Sequence, residues 1–193
     1  MQAIHKELVA FHVSPLYEER IQSGMQPVIG EGSLQARVVF IGEAPGKKEA
    51  LSGRPFCGAS GKVLDQLLEE SDLAREDVYI TNIVKDRPPN NRDPKPEEIT
   101  LYGPFLDRQL FIIQPQIIAT LGRFSMEYIL RRYGLEDQLR SISEAHGVAH
   151  TAITDFGPVC ILPLYHPAVA VYNRKRFDEL LTDMQLLNSF YSH

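Results

Sequence analysis

The chain has 193 residues, 44% of them hydrophobic and 23% charged, with 13 glycines and 13 prolines; that suits one globular domain over residues 1–193 and leaves no apolar run near the ~20 residues of a membrane helix. A formal net charge of −5 argues against holding nucleic acid by bulk electrostatics, though not against a local basic face. Two cysteines, Cys57 and Cys160, outside any CxxC pair, provide no disulfide framework.

Residues 1–11 carry Lys6 and Glu7 and lack the apolar stretch of a signal peptide, so a cytoplasmic setting is expected. The first buried strand is read over residues 38–41, a continuous apolar run rather than an alternating one, as in a parallel sheet covered on both faces. A sharp turn follows it, Gly42, Glu43, Ala44, Pro45 and Gly46, whose amides suit a ligand and whose Glu43 suits a water or a cation, or which is simply a strand-to-helix turn. Neither a Walker A loop nor a GxGxxG fingerprint is present. The glycine-spaced loop of residues 53–61 holds Phe56, fit to stack on a flat ligand or to pack in the core, and Ser60, at a helix start suited to phosphate. Val63, Leu64, Leu67 and Leu68 mark one face of that helix.

A second strand, residues 78–81, ends at Asn82, whose carboxamide offers a donor and an acceptor side by side. The proline-rich loop beyond it carries Lys85, Arg87, Arg92 and Lys95 against Asp86 and Asp93, a solvated or DNA-facing basic stretch. Pro96 and two glutamates open a helix reaching residue 113. Then come a strand at residues 117–121, a helix at 124–133 and a strand at 159–162. Tyr165, His166 and Pro167 follow the last strand, and His166 has no neighbouring ligand set for zinc. Phe177, Leu180, Leu181, Met184 and Leu187 lie on one face of a final helix, behind the basic cluster Arg174, Lys175 and Arg176. Strands alternating with helices indicate an α/β fold in three layers, with the strand-end loops on one edge.

Taken in order, these motifs resemble the uracil-DNA glycosylase superfamily, its family 4 most closely, from about Leu34 onward. The resemblance rests on the 42–46 turn with Glu49, on Gly53, Arg54, Pro55 and Phe56, on Gly58, Ala59, Ser60 and Gly61, on the strand ending at Asn82, on the loop from Arg87 to Pro94, and on Tyr165, His166, Pro167 and Ala168. It implies an αβα sandwich around a central four-stranded parallel sheet, and hydrolysis of the N-glycosidic bond of deoxyuridine in DNA, single- or double-stranded, by a monomer. A non-catalytic module binding uracil or damaged DNA, or a glycosylase for hypoxanthine or xanthine, is the alternative. The resemblance places uracil against Gly42, Ala44, Phe56 and Asn82, makes His166 the donor to the departing base, and leaves Glu43 and Asn91 to hold the water or support the cationic sugar. Ser60, Arg87, Arg92 and Arg174 would contact DNA, and the loop with Val169, Val171 and Tyr172 would wedge into the duplex. Two departures stand out. The four cysteines that hold the family's iron–sulfur cluster fall at Phe11, Ser14, Asp86 and Tyr102 here, so no metal or other cofactor is expected and aromatic packing takes the cluster's place. Ala50 stands where the family often has Asp.

Overall fold

The computed structural model describes the backbone of residues 1–191 and the side chains of residues 1–188. Strands β1 (Glu31–Gly32), β2 (Val38–Gly42), β3 (Tyr79–Asn82), β4 (Ile117–Leu121), β5 (His150–Thr154) and β6 (Gly157–Leu164) form one sheet in the order β1-β3-β2-β4-β6-β5. The four central strands are parallel, at the four places read from the sequence. Two antiparallel edge strands, β1 and β5, extend this core to six.

Alternating residues of each central strand feed opposite faces. Val38 and Phe40 pack with Leu64, Leu67 and Leu68 of α4 (Ala59–Glu69) and with Leu180, Met184 and Leu187 of α8 (Arg174–Tyr191). Val39 and Ile41 face Leu106, Leu110 and Ile113 of α5 (Pro96–Ile113) and Met126, Ile129 and Leu130 of α6 (Arg123–Arg132). These are the three expected layers. Helix α5 begins where the sequence places it because Pro96 sits in its first turn and the Glu98 carboxylate accepts from the Lys95 backbone amide at 2.8 Å. Two shorter helices, α1 (Gln2–Val9) and α2 (Tyr17–Gln22), add a third apolar cluster, in which Ile4, Leu8 and Leu16 cover Val84, Tyr102 and Phe105; α3 (Lys47–Ser52) and α7 (Ile142–Ala145) are short helices in the loops after β2 and α6.

The four positions that the family resemblance gives to cysteine meet inside this third cluster. The Tyr102 hydroxyl bonds to Ser14 Oγ at 2.7 Å and to Asp86 Oδ2 at 2.6 Å, and Arg20 Nη1 donates to both Asp86 oxygens at 3.0 Å. Phe11 meets Tyr102 edge-on, 5.4 Å between ring centres. Tyr102 is fully buried, whereas Phe11 is only partly covered, so the aromatic packing expected there is shared unequally. Burial pushes the Asp86 carboxyl up, against the pull of Tyr102 and Arg20. A guanidinium, a phenol, a hydroxyl and one carboxylate fill the place, and they do not fit a cluster held by four thiolates. Among the described residues there is also no group of three or more His, Cys, Asp or Glu able to hold a metal ion, and no helix long and apolar enough to cross a membrane.

Candidate active site

The carboxyl ends of β2, β3 and β6 open onto one cleft of about 440 Å³. Glu43, Ala44, Phe56, Ser60, Asn82, Asn91, Arg92 and His166 all line it, so three distant stretches of chain do converge. Gly42 lies beneath: a Cβ there would overlap Asn82 Oδ1 and stand 2.7 Å from the Phe56 ring. Phe56 has a left-handed backbone, φ 47°, a conformation that a non-glycine residue adopts only under constraint. Two contacts supply that constraint. Arg75 Nη2 donates to the Pro55 carbonyl at 2.7 Å, and Gly61 leaves no room for a Cβ against the Phe56 carbonyl. The buried Phe56 ring faces the His166 imidazole at 5.7 Å between centres, tilted by 33°.

His166 begins a short 3-10 turn, Pro167–Ala170, and its Nδ1 accepts the Ala168 backbone N–H at 3.1 Å. The ring proton therefore sits on Nε2 and is free to be donated. Burial pushes the imidazole down to about 4, so it is neutral at pH 7. Its neighbour Tyr165 is wedged between the His146 ring at 4.2 Å and the Arg176 guanidinium at 4.9 Å, which fixes the strand end.

Glu43 is raised above the ordinary carboxylate range, mainly by burial and further by Asp93, with Arg123 opposing. Asn91 lines the cleft and its Oδ1 accepts from Arg87 Nε at 2.6 Å, which leaves its NH₂ group without a partner of its own from that contact. Glu49 takes the amides of Cys57 and Gly58 at 3.2 and 2.9 Å and so fastens the loop ahead of α4. Ala50 beside it is fully buried, a place where an unpaired carboxylate would be costly.

The basic residues are arranged differently from the sequence reading. Lys85 belongs to no solvated face: it has no exposed surface. Arg92 forms a two-pronged pair with the buried Glu98 at 2.5 and 2.9 Å, and Arg87 holds Asn91 rather than lining the cleft. Arg174 pairs with Asp178 at 3.0 Å, away from the cleft. Among the described residues, the exposed cations on the rim are Lys47 and Lys48, which directly follow the 42–46 turn and belong to no motif of their own. On the loop after His166, Val169 and Tyr172 stand out while Val171 is half-buried.

Residues 29–186 match the family model of the uracil DNA glycosylase superfamily. The chain belongs to that superfamily. Similar superfamily members include the type-4 uracil-DNA glycosylase of Sulfurisphaera tokodaii, 43% identical over 90% of this chain and 76% of the relative. That of Archaeoglobus fulgidus is 44% identical over 82% of this chain and 78% of its own length, and that of Thermotoga maritima 41% identical over 84% and 82%. The type-5 uracil-DNA glycosylase of Thermus thermophilus is more distant, 33% identical over 66% of this chain and 62% of its own length.

Proposed function

We propose that this chain is a uracil-DNA glycosylase that hydrolyses the N-glycosidic bond of deoxyuridine in DNA, releases uracil and leaves an abasic site, as the first step of base-excision repair. The observation that carries this reading is the meeting of Phe56, Asn82 and His166 around one cleft, with Gly42 cleared of a side chain so that they fit. The relatives' names point the same way.

A flipped uracil would stack on Phe56 and pair its edge with the Asn82 carboxamide. Cytosine presents the opposite donor and acceptor there, and a buried amide left unpaired costs about 1–3 kcal/mol. As the bond to the sugar breaks, negative charge grows on the base. The neutral His166 stabilises it by donating from Nε2 without becoming an acid, its Nδ1 being held by Ala168. The sugar becomes cationic, and Glu43 is the carboxylate placed to support it and to orient the attacking water. The Asn91 NH₂ group steadies the water oxygen while Arg87 holds the other end of the amide. No step needs a metal or another cofactor. Ser60, Lys47 and Lys48 would meet phosphates, with Arg92 and Arg174 in lesser roles because each already has an acidic partner. Val169 and Tyr172 would fill the gap in a duplex. The protein acts on single- or double-stranded DNA, as a monomer, in the cytoplasm.

The test is incubation with oligonucleotides carrying single uracil, hypoxanthine or xanthine residues, followed by alkali and gel analysis. Strand scission at uracil is expected. Scission only at a purine lesion would reassign the substrate, and binding of uracil DNA with no abasic product would make the chain a binding module.

A further inference from the structure

Lys85 is enclosed completely, yet it has no ion-pair partner among the described residues, and burial pushes its pKa well below the ordinary lysine range. Its Nζ donates to three oxygens: the Asn82 carbonyl at 2.6 Å, Thr81 Oγ1 at 2.8 Å and Gln109 Oε1 at 2.5 Å. All three partners are oxygens, so the amine is held from three sides. The partners are themselves fixed. Thr81 gives its hydroxyl proton to the Ile29 carbonyl at 2.8 Å, and Gln109 Nε2 donates to that same carbonyl at 2.8 Å and to the Tyr79 hydroxyl at 3.1 Å.

A buried amine without a counter-charge is a poor way to fill space, since an apolar side chain would pack there without losing hydration. What this amine does is hold the end of β3. It grips the peptide of Asn82 from inside the protein, while the side chain of the same residue borders the cleft.

We propose that Lys85 is a positioning residue for base recognition: by clamping the Asn82 carbonyl and the Thr81 hydroxyl from beneath, it sets the direction in which the Asn82 carboxamide meets the base. This rests on the reading of Asn82 as the group that pairs with uracil. Lys85 then acts only through that carboxamide, and its removal has no effect on turnover once the carboxamide is gone.

The experiment is a kinetic cycle on a single-stranded uracil oligonucleotide with wild type, Lys85→Met, Asn82→Ala and the double variant, with inhibition by free uracil as a second readout. Lys85→Met is expected to lower kcat/KM about tenfold or more and to weaken inhibition by uracil, whereas in the Asn82→Ala background it changes the rate by less than about twofold. Equal losses in both backgrounds, or a wild-type rate in a folded Lys85→Met protein, would overturn the proposal and leave the reading of Asn82 standing. An unchanged rate for Asn82→Ala alone would overturn that reading, and the proposal with it. Should Lys85→Met not fold, the cycle is run with Thr81→Val, nearly the same shape but missing one acceptor, and Thr81→Ser, which keeps it. A loss in Val that Ser restores, absent in the Asn82→Ala background, is the expected result; a Val variant as fast as wild type, or a Ser variant no faster than Val, sinks the idea.

Discussion

Gly42 and Asn82 are partners across the parallel pair of β2 and β3, and the space where Gly42 would carry a Cβ is taken by the Asn82 carboxamide and the Phe56 ring. The backbone of Gly42 does not lie in the left-handed region, so glycine is needed there for room alone. Gly42→Ala is therefore expected to push either the amide or the ring off its position. Misplacing a reacting group by ~1 Å costs on the order of 10² in rate, while overpacking one methyl costs about 1–3 kcal/mol of stability. Cleavage of uracil DNA should fall by about that factor in a protein that still unfolds cooperatively; a wild-type rate would show that the cleft does not grip the base between these groups.

Donation from His166 predicts a loss in the chemical step. His166→Ala should lower single-turnover cleavage of uracil-containing single strands by ~10² or more, the usual loss on removing one donor to a developing anion. Binding of the intact oligonucleotide should change far less. Equal losses in binding and cleavage would instead make His166 a contact to the ground state.

Much of this was readable from residue order, and what was hidden has physical reasons. The four parallel strands announce themselves as continuous β-branched runs because both faces are covered. The edge strands do not. Strand β1 is two residues long, and β5 turns Ile153 outward to 78% exposure, which inverts the pattern that marks a buried strand. The convergence of Phe56, Asn82 and His166 on one cleft was legible because each sits beside a turn with its own signature. The states of the cations were not. Arg92 is claimed by Glu98, Arg87 by Asn91 and Lys85 by Gln109; these partners, six, four and 24 residues away, are set by side-chain direction, which spacing does not reveal.

The low pKa of His166 also predicts a pH dependence of stability. Above pH 6.5 neither the folded nor the unfolded chain protonates this ring. Between 6.5 and about 4 only the unfolded chain does, so stability falls as pH is lowered through that window and the effect levels off below it. The contribution is on the order of 3 kcal/mol. His166→Asn should remove it. Urea midpoints measured at pH 7, 5 and 4 should drop more steeply in wild type than in the variant, and parallel curves would contradict the assigned neutral ring.

Arg20 and Asp86 are both buried and joined at 3.0 Å. Asp86→Ala strands the guanidinium and should cost about 3–5 kcal/mol, whereas replacing both residues by apolar ones of similar size should cost much less. Denaturant titration of the single and double variants separates these outcomes. The same network predicts that the purified protein carries no iron and that a chelator leaves its melting temperature unchanged. Stoichiometric iron, with the visible absorbance of a cluster, would refute the view that hydrogen bonds and packing alone tie α1 and α2 to the loop after β3.

Finally, DNA affinity should depend on few cations. With a net charge of −5 and Arg92 and Arg174 already paired, the exposed Lys47 and Lys48 at the cleft rim are the natural phosphate contacts. Each contact made to a single strand contributes about −0.7 to the slope of log K against log salt. Lys48→Ala should weaken binding about equally for all sequences and make the slope shallower by roughly that amount, while Arg174→Ala should change it less. The reverse order, read by fluorescence anisotropy over a range of salt, would move the DNA path from the 42–48 side of the cleft to the start of α8.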